Sequence, residues 1–236
     1  MKGAPRTGTA QAWRVAETFW AIAKNRRRFL SALPMVGAAL LIGEALRPNP
    51  VRAAVGAKGL DIDAILDDPD APVAGNPDGD VTIIAFVDTN CPFCNRSDPD
   101  LHRLVAQNGK IRLVTKDWPI LAPSSVAGAR LALVAKYQGQ HEAAHAAPMG
   151  LHGRASESAM RNAIAAVGVD MARLDCDLAD HDPAIMGLIR RNGAQVDALH
   201  LKGAPVYLIG PYLVAAALDC DGFNEIVAKF RTEIEK

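Results

Sequence analysis

The sequence lacks an excess of charge of either sign. Its 236 residues include 26 Lys and Arg and 26 Asp and Glu, so the formal net charge is zero. Proteins that bind nucleic acid through bulk charge carry a basic excess, and the balance argues against that class. The chain also lacks a phosphate-binding glycine loop, internal repeats and low-complexity tracts. Because 50% of its residues are hydrophobic, its composition excludes a disordered chain.

Long apolar runs are also missing. The residues from Phe29 to Gly43 are uncharged and mostly apolar, whereas spanning a bilayer takes about 20 residues. A basic segment, Arg26-Arg27-Arg28, directly precedes this run. A basic segment before a short apolar one is the layout of an export signal, and residues 26–30 (RRRFL) resemble the twin-arginine export motif.

The neutral total conceals two oppositely charged parts. Residues 1–57 hold nine Lys and Arg and two Asp and Glu, a net charge of +7, whereas residues 58–236 hold 17 and 24, a net charge of −7. The sequence therefore predicts an export signal at 1–57, with a small-residue cleavage segment near 51–57, and an acidic working domain at 58–236. The alternative is an uncleaved membrane anchor whose basic side stays in the cytoplasm. Either interpretation locates the working domain in the periplasm or another extracytoplasmic space.

The pattern of hydrophobic residues predicts an α/β order of elements. Residues 81–87 (VTIIAFV) form a nearly continuous β-branched run, which is typical of a buried strand. The other predicted elements are a short strand at 72–74, a helix after Cys94 to about Asn108, a strand at 111–115, alanine-rich helices between 124 and 199 with breaks near 139, 148–153, 168 and 182–183, a hairpin of strands at 206–209 and 212–215, and a helix at 222–235. This order predicts an α/β fold with a helical insertion.

Cysteine is scarce, and four cysteines are too few for a disulfide scaffold at this length. Cys91 and Cys94 follow the predicted strand and open the predicted helix, so their side chains share one helical face and can form a disulfide. Pro92 suits the first helical position, where its missing N–H has no partner. Cys91 is then the N-cap, where free N–H groups and the helix dipole stabilise a thiolate. We expect Cys91 to be the exposed attacking thiol and Cys94 the resolving thiol.

A metal site is less favoured than a redox-active cysteine pair, and the remaining cysteines and histidines are assigned structural roles. A structural zinc site takes four ligands, usually from two close pairs, and no second close cysteine pair exists. Cys176 and Cys220 either form a second, structural disulfide or remain free thiols, and in an exported protein we favour the disulfide. His102 and His200 are interpreted as packing or surface residues. We therefore predict no metal site.

The segment 141–145 (HEAAH) matches the zinc-protease pattern H-E-x-x-H. The extended form of this pattern requires Gly and His where the chain has Pro148 and Leu151. We therefore set the protease interpretation aside.

Four segments of residues 61–236 together resemble the DsbA-like thiol:disulfide oxidoreductases of the thioredoxin superfamily. They are 76–82 (NPDGDVT), 88–94 (DTNCPFC), 117–121 (DWPIL) and 203–207 (GAPVY). The resemblance implies a thioredoxin-like fold whose helical insertion, here at about 121–199, lies between the central strands. It also implies a cis-proline at Pro205, preceded by Ala204, that faces Cys91 and Cys94. We expect Pro205, Ala204, Pro92 and Phe93 to bind substrate, because a free backbone edge pairs with extended segments.

The sequence departs from the family at two positions. Ala85 lies six residues before Cys91, where relatives carry a buried acid thought to move the resolving thiol's proton, and Asp88 is a candidate substitute. Phe93 occupies the position of the His found in strongly oxidising members. These departures leave the direction of exchange open.

The sequence therefore predicts an exported oxidase that introduces disulfides into cysteine-containing folding polypeptides. A membrane redox partner would re-oxidise it, and no cofactor is needed because its cysteines hold the electrons. The alternatives are a reductase or isomerase kept reduced by a membrane electron donor, and a thioredoxin-fold module that binds Cu(I) through Cys91 and Cys94. We expect a monomer with no nucleic-acid partner.

Overall fold

A computed structural model describes residues 13–14 and 61–235. Apart from residues 13–14, the predicted export signal lies outside the described residues, including its twin-arginine motif and its cleavage segment. Among the helices of the described part, none combines the length and apolar character needed to cross a membrane.

The strands form one sheet of six, in the order β1-β6-β5-β3-β4-β2. They are β1 (Trp13–Arg14), β2 (Val73–Gly75), β3 (Val81–Val87), β4 (Ile111–Asp117), β5 (Val206–Ile209) and β6 (Tyr212–Val214). The α-helices are α1 (Ile62–Leu66), α2 (Pro92–Asn108), α3 (Pro123–Val134), α4 (His141–Met149), α5 (Glu157–Ala166), α6 (Met171–Ala198) and α7 (Cys220–Ile234), and a 3₁₀ turn covers Ala135–Gln138.

Strand β3 lies at the centre of the sheet, as its continuous apolar sequence predicts. It pairs in parallel with β4 from Val81 opposite Ile111 to Val87 opposite Asp117. On its other side it pairs antiparallel with β5. All of its side chains except that of Thr82 are buried, because helices cover both faces of the sheet.

The two faces of the sheet carry separate hydrophobic clusters. Ile83 and Ala85 of β3 face the cluster to which α2 and α7 contribute. Ile84 and Phe86 face the opposite cluster, to which α3, α5 and α6 contribute. Helices α3 to α6 follow β4 and precede β5, so the predicted helical insertion is confirmed.

The structure differs from the predicted elements at several points, including the unpredicted β1 and α1 and shifts of one or two residues at the ends of β2, β6 and α7. The predicted break at 182–183 is wrong, because α6 runs through Pro183 as one helix of 28 residues. Asp182 accepts a hydrogen bond from the Arg130 guanidinium of α3 at 2.7 Å, and Ile185 is buried in the core. This packing outweighs the hydrogen bond that the proline removes. Strand β4 also extends two residues beyond its predicted end and therefore finishes at Asp117.

Candidate active site

Cys91 and Cys94 lie where the central strand passes into the first long helix. Cys91 is the N-cap of α2, and Pro92 is the first helical residue, as the spacing predicts. The backbone N–H of Cys94 donates to the Cys91 Sγ at 3.4 Å. The backbone N–H of Cys91 donates to the Asp88 carbonyl oxygen at 2.9 Å, which fixes the turn after β3.

The expectation that Cys91 is exposed is wrong. Its relative exposure is 3%, and Cys94 is fully buried. The thiol of Cys91 donates to the Ala204 carbonyl oxygen at 3.2 Å, so the chain before β5 lies against the sulfur. The sulfur therefore lies at the junction between the N-terminus of α2 and Ala204.

The local hydrogen bonds separate the acidities of the two thiols. The hydrogen bond from the Cys94 thiol, together with the backbone N–H groups of Cys94 and Phe93, lowers the pKa of Cys91 to about 6, although burial and the Asp88 charge act in the opposite direction. Burial raises the pKa of Cys94, and its hydrogen bond to Cys91 raises it further. At neutral pH this arrangement favours a thiolate at Cys91 and a protonated thiol at Cys94.

The peptide bond between Ala204 and Pro205 is cis, as the family resemblance predicts. Strand β5 begins at the next residue, Val206, which pairs with Phe86 of β3. The pairing of β5 with β3 thus holds Ala204 beside the N-terminus of α2, so residues 113 positions apart in sequence meet at Cys91.

Two polar residues of the turn, Asp88 and Asn90, hold it in place through hydrogen bonds that the sequence does not predict. The Asp88 carboxylate accepts hydrogen bonds from the backbone N–H groups of Ile120 and Leu121, at 2.7 and 2.9 Å. It also accepts one from the backbone N–H of Asn90 at 2.8 Å. The Asn90 side chain accepts from the Ala155 N–H at 2.8 Å. The turn before Cys91 is therefore tied to two segments of the insertion.

Because residue 85 is an alanine, the sheet face that carries Cys91 and Cys94 has no acid six residues before Cys91, where relatives carry one. Ala85 lies in the same cluster as Cys91 and Cys94. A buried acid on this face that the sequence does not single out is Asp117, which pairs with Val87 of that cluster. Burial raises the pKa of Asp117 to about 6, and among the described residues its Oδ2 has no hydrogen-bond partner.

An apolar surface adjoins the two cysteines. Phe93, Ile120 and Leu121 are 54%, 44% and 42% exposed, which is unusual for side chains of this size. Phe93 lies between the cysteines in sequence, and the other two are held to the same turn through Asp88. We call these three side chains the apolar rim.

The structure does not support the predicted disulfide between Cys176 and Cys220. Both are free thiols among the described residues. Cys176 lies on α6 and Cys220 begins α7, and these helices cover opposite faces of the sheet. A disulfide requires Cα atoms within about 7 Å, which two helices separated by the sheet do not provide.

The family model described as Thioredoxin matches residues 67–229. A thioredoxin-like oxidoreductase from Silicibacter pomeroyi DSS-3 is 35% identical, with a TM-score of 0.68 over 73% of this chain and 98% of that chain. A periplasmic thioredoxin-like protein from Salmonella enterica serovar Typhimurium is 25% identical, with a TM-score of 0.63 over 71% of this chain and 94% of that chain. The thiol-disulfide exchange protein alpha-DsbA2 from Wolbachia pipientis is 24% identical, with a TM-score of 0.68 over 75% of this chain and 94% of that chain. No curated protein matches the sequence significantly. These likenesses confirm the predicted thioredoxin-like fold.

Proposed function

Since this chain belongs to the thioredoxin superfamily, we propose that it is a DsbA-like thiol-disulfide oxidoreductase that exchanges disulfides with cysteine pairs of folding polypeptides through Cys91 and Cys94. The observation that carries the proposal is the position of the Cys91 Sγ. It accepts the Cys94 N–H at the start of α2 and faces the Ala204 carbonyl. The Cys94 N–H stabilises a thiolate at this sulfur, and we propose that the neighbouring backbone at Ala204 binds an extended peptide.

In the oxidising direction the cycle starts from a Cys91–Cys94 disulfide. A substrate thiolate attacks the Cys91 Sγ, the bond between the two enzyme sulfurs breaks, and Cys94 leaves and takes up a proton. The second substrate thiolate then attacks the substrate sulfur of the mixed disulfide and releases the Cys91 thiolate. The substrate loses two electrons and gains a disulfide, and the enzyme ends as a dithiol. The low pKa of Cys91 makes it the better leaving group in the second step.

We propose the oxidase as the principal direction. A hydrogen-bonded thiolate at Cys91 stabilises the dithiol form, which makes the disulfide a stronger oxidant. The pKa of about 6 lies between the values for the thioredoxin and DsbA nucleophiles, about 7 and about 3.5. Their reduction potentials are about −270 and −120 mV. We therefore expect an intermediate potential.

The second candidate is a reductase or isomerase kept reduced by a membrane electron donor. It is favoured by Phe93, which gives the dipeptide between the cysteines no positive charge to stabilise the thiolate further. The redox state of the two cysteines in the cell separates the candidates.

The surroundings of Cys91 support an extended, partly apolar peptide as substrate. Once Cys91 has lost its proton, the Ala204 carbonyl no longer accepts from it and can accept a hydrogen bond from a strand-like segment, and the apolar rim offers contacts to the hydrophobic side chains of that segment. Folding polypeptides expose both features, whereas native proteins bury most of them. We propose that such chains are the substrates and that a quinone-linked membrane partner re-oxidises the enzyme. No cofactor takes part, because the sulfurs carry the electrons.

The site of action that we propose is the periplasm or another extracytoplasmic space, with the protein acting as a monomer. The basic leader supports export, and the related Salmonella protein is described as periplasmic. A stable pool of substrate disulfides also requires such an oxidising compartment.

Single cysteine variants test the proposal. Cys91→Ser should reduce disulfide exchange to the uncatalysed rate in insulin-reduction and peptide-oxidation assays, because the attacking sulfur is gone. Cys94→Ser should accumulate a mixed disulfide with a disulfide-bonded peptide, visible by mass spectrometry, because its Cys91 thiolate attacks the peptide disulfide and displaces one peptide thiolate, and no second enzyme thiol resolves the product. Cys176→Ser, which changes an exposed thiol, is the matched control and should retain the parent rate. Retained exchange in Cys91→Ser, or bound copper without exchange in the parent protein, would refute the proposal.

A further inference from the structure

A cluster of two histidines and an aspartate lies between α2 and α4, apart from the cysteines. The Asp98 Oδ1 is 3.5 Å from the His102 Nε2 and 3.5 Å from the His145 Nε2. Asp98 and His102 are one turn apart on α2, and His145 comes from α4. His145 and Asp98 are buried, with exposures of 2% and 6%, while His102 is 18% exposed.

These separations suit a single tetrahedral ion. Zinc binds imidazole nitrogen at about 2.0–2.1 Å and carboxylate oxygen at about 2.0–2.2 Å, which places two ligand atoms of one tetrahedron about 3.4 Å apart. The three candidate atoms all lie within 4.8 Å of one another. We propose that Asp98, His102 and His145 bind a Zn²⁺ ion that fastens α2 to α4.

A carboxylate outside the cluster orients one of the histidines. The Glu142 Oε1 is 3.2 Å from the His102 Nδ1. A proton on Nδ1 that is donated to Glu142 leaves the Nε2 lone pair free to face Asp98 and His145. Metal-binding histidines commonly have such a carboxylate on their second nitrogen. Glu142 therefore supplies the outer support that a zinc ligand needs.

The cluster also has an entry path from the surface. His102 and Glu142 line an open surface groove together with Gln138 and Gln140. Inside, among the described residues, the His145 Nδ1 and the His141 Nε2 are buried without a hydrogen-bond partner. Two neutral imidazoles and the Asp98 carboxylate are the forms that bind zinc, so metal binding releases any proton held on the two Nε2 atoms.

The proposed ligands are not those of the H-E-x-x-H pattern. The ring of His141 stacks on that of His145 with centroids 5.7 Å apart, but the three-residue cluster takes His102 of α2 instead. Glu142 contacts His102 and is therefore an orienting group. The ion would link α2, the helix that Cys91 caps, to the insertion, which is a structural role independent of thiol exchange.

Zinc titration of the full chain tests the inference. The Cys91–Cys94 disulfide is first formed and the remaining thiols are alkylated, so that sulfur cannot compete for the metal. Calorimetry should show one equivalent of Zn²⁺ bound, and the thermal midpoint should rise on binding. His102→Gln should weaken the Kd by at least about tenfold, and Glu142→Gln by about 10- to 100-fold, the range for lost outer-shell partners.

His152→Gln is the matched control, because His152 is an exposed histidine outside the cluster. It should bind zinc with the parent Kd. Both test positions, His102 and Glu142, reach the surface, so their variants should fold, and their far-ultraviolet circular dichroism verifies this. Absence of zinc binding by the parent, or equal Kd values in His102→Gln and His152→Gln, would overturn the inference.

Discussion

At the scale of the residue, the lowered pKa of Cys91 comes from hydrogen bonds and not from a neighbouring cation. The Cys94 thiol and the backbone N–H groups of Phe93 and Cys94 stabilise its thiolate. The Asp88 carboxylate acts against them, because it disfavours negative charge on both sulfurs. Asp88 instead organises the site, since it holds the turn before Cys91 to the backbone of Ile120 and Leu121. The hydrogen bonds of Asp88 therefore fix the turn, while its negative charge disfavours the Cys91 thiolate.

We therefore predict that Asp88→Asn lowers the pKa of Cys91 below the value of about 6 in the parent. Removing the negative charge favours the thiolate, so the rate of Cys91 alkylation by iodoacetamide should reach its half-maximal value at a lower pH. Unfolding should also become easier by about 1–3 kcal/mol, because an amide cannot accept all three backbone hydrogen bonds. Asp78→Asn, at an exposed carboxylate, should leave both quantities unchanged. A rise in the alkylation midpoint of Asp88→Asn would contradict this account.

The sequence predicts some properties of these residues and not others. The spacing of Cys91, Pro92 and Cys94 after a buried strand predicts the N-cap, because capping depends on adjacent residues. The burial of Cys91 depends on Ala204, which is 113 residues away, and local patterns carry no information about such a contact.

At the scale of the element, a buried ionic network fastens the long helix α6 to the sheet. Lys116 of β4 is fully buried, and its Nζ lies 3.2 Å from the Asp68 Oδ2. Arg191 of α6 donates to the same carboxylate at 3.1 Å and also contacts Asp70. A lysine inside a strand is not a sequence signal for burial, since lysine usually lies at the surface. The sequence alone therefore does not predict this network.

Asp68→Ala should destabilise the fold by about 3–5 kcal/mol, because it leaves the buried Lys116 without its partner. Lys116→Met should change stability much less, since Asp68 keeps Arg191 and the buried ammonium is replaced by an apolar side chain. Urea unfolding measures both. Asp182→Ala removes a half-exposed ion pair and, as control, should stay within about 1 kcal/mol of the parent. Equal losses from Asp68→Ala and Lys116→Met would contradict the unpaired-charge explanation.

The same network gives a pH dependence with a definite sign. Burial favours the neutral carboxyl, but the hydrogen bond from Arg191 and the charge of Lys116 hold the pKa of Asp68 below its ordinary value. A lowered folded-state pKa contributes stability above the unfolded value of about 3.9, and that contribution disappears as the pH falls through the folded value. The stability difference between the parent and Asp68→Ala should therefore shrink below about pH 4.

At the scale of the whole molecule, the central sheet separates two hydrophobic clusters, one on each of its faces. The face that carries α2 and α7 holds Cys91 and Cys94, and the opposite face carries the core of the helical insertion. Segments from the insertion nevertheless reach the site through Asp88 and Asn90. The order of elements was predictable from hydrophobic periodicity. The Asp98–His102–His145 cluster was not, because it forms only when α2 and α4 pack together.

The central claim, that Cys91 and Cys94 cycle as the disulfide of an exported oxidase, is tested most directly by their redox state in the cell. Cultures of an exporting host are quenched in acid, and free thiols are labelled with a polyethylene glycol maleimide. Cys176→Ser/Cys220→Ser serves as the background, so that each label reports on Cys91 or Cys94. Cys91→Ser in that background is the control and should carry one label before and after reduction. The account predicts that most molecules carry no label until dithiothreitol is added and two labels afterwards. Two labels on most molecules before reduction would contradict it.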